Sequence, residues 1–143
     1  MFTYPIVAET FDFLNDANGE HVKPIHVATD APLLPHQLER LTRRVGMGLG
    51  PLGSWAGNLS GDLFLTFSTA NAGAGSQEGT PLLKMLPNDQ MDPLFRATID
   101  ATEEAVVNAM LAAETMTGAD GIRLFGLPGD RVVAALRKYN RMK

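Results

Sequence analysis

Residues 62–69, Asp62-Leu63-Phe64-Leu65-Thr66-Phe67-Ser68-Thr69, are the clearest strand in the sequence. The run is almost continuously apolar and rich in residues that suit a pleated surface. A strand of that kind is expected to be buried on both faces, or on one face with a subunit contact on the other. Upstream lies a second strand, Pro24 to Thr29, with Ile25 and Val27 on one face. Between the two, helix signals begin at Pro35, a residue favoured in the first turn. Leu38, Leu41 and Val45 follow at i, i+3 and i+7, opposite Glu39, Arg40, Arg43 and Arg44, and predict an amphipathic helix. Glycines 46, 48, 50 and 53 are expected to dissolve it.

The same reading extends to both ends. Phe2 to Glu9 is apolar and β-prone, and Asn15-Asp16-Ala17-Asn18-Gly19 reads as a turn. Residues 70–81 are small and polar and form a loop that matches neither GxxxxGK[ST] nor GxGxxG, so no phosphate cradle is expected. Asp92-Pro93 supplies a cap and a first-turn proline for the longest helix, and Gly118 fits its stop. Leu94, Ala97, Ala101, Ala105, Asn108 and Ala112 mark one small-residue stripe on that helix, expected to pack across a sheet; Ile99, Val106, Met110 and Ala113 mark another. A short strand at Ile122–Phe125 and a helix from Asp130 to Tyr139 complete the order. Strands interleaved with helices in this way predict a layered α+β or α/β domain.

Composition narrows the function classes. With 143 residues, 45% hydrophobic and 20% charged, the chain has the make-up of one soluble globular domain. Its net charge of −4 gives no sign of a nucleic-acid partner. The basic clusters Arg40, Arg43, Arg44 and Arg137, Lys138, Arg141, Lys143 read as solvated helix faces rather than phosphate patches. The absence of cysteine excludes disulfides, thiolate metal sites and cysteine nucleophiles. No apolar run approaches the roughly 20 residues of a bilayer span. The first residues lack a signal-peptide pattern, so a cytoplasmic location is expected.

Three stretches carry a resemblance. ATDAPLLPHQLERLTRRVGMGLGPLGSWAGNLSGDLFLTFSTAN (28–71), MDPLFRATIDATEEAVVNAMLAAETMTG (91–118) and LPGDRVVAALRKYNR (127–141) resemble the small C-terminal subunit of the DmpA-type aminopeptidases, which are N-terminal-nucleophile hydrolases. PIVAETFDFLNDANGEHV (5–22) resembles the N-terminal subunit of the same proteins. The resemblance implies an α+β, layered sheet-and-helix sandwich of the DmpA type, incomplete relative to full-length relatives. It divides the chain into a remnant of the N-terminal subunit (1–23) and a domain like the C-terminal subunit (24–143). It also implies aminopeptidase chemistry on peptides, amides or esters, a peptide or amino-acid amide as ligand, homo-oligomers, and no cofactor or metal.

In that family a Ser frees itself by cutting a Gly-Ser bond and then attacks as nucleophile, its own amine serving as base. An SG[DE] motif polarises the site, and an oxyanion hole holds the tetrahedral intermediate. The matching triplet here is Ser60-Gly61-Asp62. Without the resemblance, those three residues would read as a turn. Glu9, in VAET, matches a stretch near the pocket for the substrate's amine, where a carboxylate would pair with an ammonium. The nucleophile belongs just before ATDAP, where His21, Val22 and Lys23 stand, and no counterpart of the Gly-Ser site or of the oxyanion Asn is found. Thr29 is the one hydroxyl nearby, and the first serine of the chain is Ser54. Ser60 and Asp62 are thus supporting positions without a nucleophile.

The remaining candidates have plainer readings. His26 and His36 lack partners at metal-ligand spacing, His36 being expected to hold the turn that opens its helix. Trp55 reads as a local core anchor, with a pocket wall as the alternative. Glu9, Asp12 and Asp16 show no spacing that defines an acid–base pair. The leading functional reading is a weak or inactive aminopeptidase relative. The alternatives are a structural or regulatory subunit of an oligomer, or a gene fragment.

Overall fold

The computed structural model describes residues 4–10, 24–58 and 61–142. The expected turn at 15–19 and the start of the first predicted strand lie outside them. Residues 1–105 and 106–143 form two compact units.

The first unit is built on a three-stranded sheet in the order β1-β2-β3. β1 (Ile6–Thr10) runs antiparallel to β2 (Pro24–Thr29), and β2 runs parallel to β3 (Leu63–Ser68). A parallel pair needs a crossover, which α1 (Pro35–Leu49) provides. On β2 the alternation is as expected, with Ile25, Val27 and Thr29 buried. Ile25 and Val27 meet Val45 of α1, with Ile6, Ala8, Leu49 and Phe64 packed around them. Thr42 ties the helix to the sheet, its hydroxyl hydrogen-bonding to the Thr66 hydroxyl at 2.9 Å.

β3 departs from the expected burial. Thr66 is buried, but Leu63, Leu65 and Phe67, the opposite face of the strand, are exposed, as is Val7 of β1. The apolar run therefore has one covered face, and the described residues leave the other open.

α1 begins at Pro35 as predicted, but Gly46 and Gly48 do not end it; it continues to Leu49 and passes into a short 3-10 turn, Gly50–Leu52. Packing outweighs propensity here. A methyl group at position 48 would lie 2.7 Å from the Ile99 carbonyl oxygen and 2.8 Å from Thr102 Cβ, so the glycine lets two helices approach closely. Gly53, with φ of 94°, terminates the turn.

The start of α1 is held by Gln37, not His36. The Gln37 Oε1 accepts from the Leu34 N–H at 3.2 Å, half of a capping box. Its Nε2 donates to the Leu86 carbonyl at 2.7 Å and to Asn88 Oδ1 at 3.1 Å. His36 is exposed. A second core cluster, Ala31, Leu33, Leu41, Leu86, Met91 and Leu94, forms around this point. The loop that follows β3 is closed by Asn71, which accepts from the Lys84 N–H at 2.9 Å and donates to the Lys84 carbonyl at 3.1 Å.

α2 (Asp92–Ala112) buries Leu94, Thr98 and Thr102. The buried stripe therefore falls beside the alanines rather than on them, and at Gly48 it meets a helix rather than a sheet. Threonine is tolerated there because each hydroxyl donates to the carbonyl four residues back, Thr98 to Leu94 at 2.8 Å and Thr102 to Thr98 at 2.7 Å. Of the basic residues of α1, Arg43 is exposed as expected, whereas Arg40 and Arg44 are half-buried. Arg43 pairs with Glu39, and the Arg44 guanidinium lies 3.7 Å from the Phe95 ring centroid.

In the second unit α2 ends at Ala112, before Gly118. The chain turns into a hairpin in which β4 (Met116–Thr117) pairs antiparallel with β5 (Arg123–Leu124). The Gly118 N–H donates to the Ile122 carbonyl at 2.8 Å, and the Gly126 N–H to Thr115 Oγ1 at 3.0 Å. Gly118 is therefore a hairpin residue rather than a helix stop. α3 (Gly129–Lys138) follows close to its predicted bounds.

Candidate functional site

The sheet register brings the sequence-predicted site elements to one end. β2 and β3 are parallel and start together, Pro24 pairing with Leu63. β1 is antiparallel and ends there, Glu9 pairing with His26 and Thr10 with Ile25. Asp62 immediately precedes β3, and residues 21–23 immediately precede β2 in sequence. Glu9 and Asp62 thus lie on the same end of the sheet. Ser60 and residues 21–23 are outside the described residues. Thr29 is at the far end of β2, buried, and its Oγ1 accepts from the Ala31 N–H at 3.1 Å. Its hydroxyl belongs to the ATDAP turn.

Beside Asp62 is a cleft of about 320 Å³, lined by Gly46, Leu49, Ser54, Trp55, Ala56, Gly57, Asp62 and Phe64. The Phe64 ring lies beside Gly46 of α1, and a methyl group there would meet it at 3.8 Å, ordinary contact. Trp55 forms a wall of the cleft and is 85% exposed, which overturns its reading as a core anchor. Its ring lies across Gly57, where an added Cβ would stand 3.3 Å from the indole. Ala56 adopts the left-handed conformation, with φ of 49°, which a non-glycine residue rarely takes.

Ser54 was not a predicted site residue, yet it lines the cleft with Asp62. The glycines around it erase the periodicity by which a sequence reveals facing. Among the described residues no group of three or more His, Asp or Glu is arranged to hold a metal ion. No helix among them is long and apolar enough to cross a membrane. Chemically, the cleft offers one carboxylate, one hydroxyl and an apolar lining that includes two aromatic rings.

Known proteins resemble the chain in sequence and fold. The chain is 45% identical over 127 residues to the β-peptidyl aminopeptidase BapA of Sphingosinicella microcystinivorans, covering 88% of this chain and 32% of that protein. It is 46% identical over 117 residues to BapA of Sphingosinicella xenopeptidilytica, covering 79% and 29%. Among solved structures, the L-aminopeptidase D-Ala-esterase/amidase of Ochrobactrum anthropi, described as a variant of the Ntn-hydrolase fold, superposes with a TM-score of 0.78 at 39% identity, over 89% of this chain and 36% of that one. A Burkholderia sp. β-aminopeptidase superposes at 0.74 and 32% identity, over 96% and 50%.

The fold is therefore the mixed helix-and-sheet architecture of these enzymes, present in part, and the chain spans about a third of the length of the curated relatives it matches. Residues 25–124 match the sequence profile of Peptidase family S58. The chain belongs to that family.

Proposed function

We propose that the chain is an internally shortened member of the family whose hydrolysis of N-terminal residues from peptides, amides or esters is weak or lost. One observation carries the reading. His21-Val22-Lys23 stands where the family's nucleophile belongs, just before the strand whose start lies beside that of β3. None of the three side chains is a hydroxyl. Residues 1–23 descend from the N-terminal subunit and 24–143 from the C-terminal one, the stretch that joined them being absent together with the oxyanion Asn. Ser60 and Asp62 keep the positions of the polarising motif, and Glu9 keeps that of the amine pocket. Groups that act as a catalytic unit lose nearly all their effect when one is removed. The protein is cytoplasmic on this reading and binds a peptide or amino-acid amide without cofactor.

The test is turnover of aminoacyl p-nitroanilides, with α- and β-amino acids, by the purified chain. The reading expects release of p-nitroaniline at the rate of the buffer control. Clear turnover contradicts it.

The open face of β3, with Leu63, Leu65 and Phe67 exposed, favours a second reading, a structural or regulatory subunit of a homo-oligomer. Light scattering coupled to size exclusion checks it; a stable monomer would count against this reading.

A further inference from the structure

Residues 106–143 form a unit of under about 40 residues, a size at which a chain rarely holds its shape without disulfides, a metal or a partner. The chain has no cysteine, and the described residues include no group of three or more His, Asp or Glu arranged to hold a metal ion. Among the described residues of this unit none is buried. Its apolar side chains stand on the outside. Met116 and Leu124 of the hairpin, Ile122 and Phe125 beside it, and Leu136 and Tyr139 at the end of α3 are all exposed. Phe125 is 77% exposed, although burying such a ring is among the larger stabilising contributions a side chain can make. Apolar surface displayed on this scale marks a contact with another molecule.

The first unit has the matching deficit. An apolar sheet needs a layer on each face, and here α1 covers one face only. Leu63, Leu65 and Phe67 of β3 stand open on the other. The register adds Val7, which pairs with Ala28, the partner of Phe67. Charge then selects the pairing. Residues 106–143 carry six Lys or Arg against three Asp or Glu, a net of +3, whereas residues 1–105 carry six against thirteen, a net of −7. Two sheet faces brought together would oppose −7 to −7, and two small units +3 to +3. A small unit on a sheet face joins opposite signs. One chain leaves both surfaces exposed, so the complement comes from a second copy.

We infer that two copies form a reciprocal dimer, in which residues 106–143 of each copy cover the open sheet face of the other. Two identical contacts related by a twofold axis close the assembly. The inference rests on the homo-oligomer reading above, to which it assigns the two surfaces, and is independent of whether the chain hydrolyses anything.

The experiment is light scattering coupled to size exclusion on the full chain and on two variants at exposed positions, Leu65→Asp and Phe125→Asp, with folding checked by circular dichroism. The parent is expected to be a dimer. Each variant weakens it by about tenfold or more, because a charge enters an apolar contact. Mixing the two variants is expected to restore dimers. A mixed pair keeps one contact intact and places both substitutions in the other, which can be lost only once. Recovery on mixing also shows that both variants fold. An assembly sensitive to only one of the two variants, or no recovery on mixing, overturns the reciprocal contact and leaves the homo-oligomer reading standing. A stable monomer removes both. Arg137→Gln with Lys138→Gln takes the small unit from +3 to +1 and is expected to weaken the parent dimer by about threefold. An unchanged or tighter dimer overturns the pairing of opposite charges.

Discussion

Replacing Gly46 and Gly48 by alanine, one at a time, separates what a sequence says about a helix from what packing demands. Both residues lie inside α1, so intrinsic propensity predicts the same gain for each, about 0.5–1 kcal/mol. Their surroundings differ. At 46 the new methyl group meets only a Phe64 ring atom, at 3.8 Å, and the gain should be realised. At 48 it would meet a backbone carbonyl at 2.7 Å and Thr102 Cβ at 2.8 Å, and neither is the free end of a flexible side chain. Such overpacking costs about 1–3 kcal/mol, leaving Gly48→Ala destabilised by about 1–2 kcal/mol. The two variants should then differ by about 2–3 kcal/mol, or roughly 5–10 °C in Tm for a chain of this size. Urea unfolding followed by circular dichroism measures both, with unchanged m-values confirming that stability alone has moved. If Gly48→Ala is as stable as Gly46→Ala, the close approach of the two helices is wrong.

Other outcomes follow from single hydrogen-bonding side chains. Gln37→Leu leaves the Leu34 N–H and the Leu86 carbonyl without their partner and should lower stability by about 2–4 kcal/mol in the same urea assay. His36→Ala, at the neighbouring exposed position, should change it by no more than about 0.5 kcal/mol. Asn71→Ala removes both bonds to Lys84 and should raise the rate of proteolysis within residues 72–83 several-fold at little cost in global stability. Cleavage unchanged by that substitution would show that Asn71 does not close the loop.

The strands and helices that depend on local signals were legible. β2 has its predicted bounds, and α1 and α3 start within a residue of theirs, because alternation, Pro35 and the turn residues before α3 act within a few positions. What failed depends on contacts distant in sequence. Gly48 continues a helix because Ile99 and Thr102 stand next to it, and Gly118 belongs to a hairpin because Ile122 accepts its N–H. The buried face of α2 was misplaced because threonines that satisfy their own hydroxyls pass for core residues. At the site, the resemblance drew attention to Asp62, and the register brings Glu9 to the same end of the sheet. Ser54 and the exposure of Trp55 were not legible, since a glycine-rich segment has no period from which facing can be read.

The account depends most on the proposal that the chain lacks the family's nucleophile, and intact-mass spectrometry tests this directly. Family enzymes of this type mature by cutting a Gly-Ser bond, so the purified chain is held under native conditions and its mass is followed with time. A single species with the mass of the uncut chain is the predicted result. Two fragments produced by a cut at a Gly-Ser bond, Gly53–Ser54 beside the cleft above all, would show that the chain supplies its own nucleophile and would contradict the account.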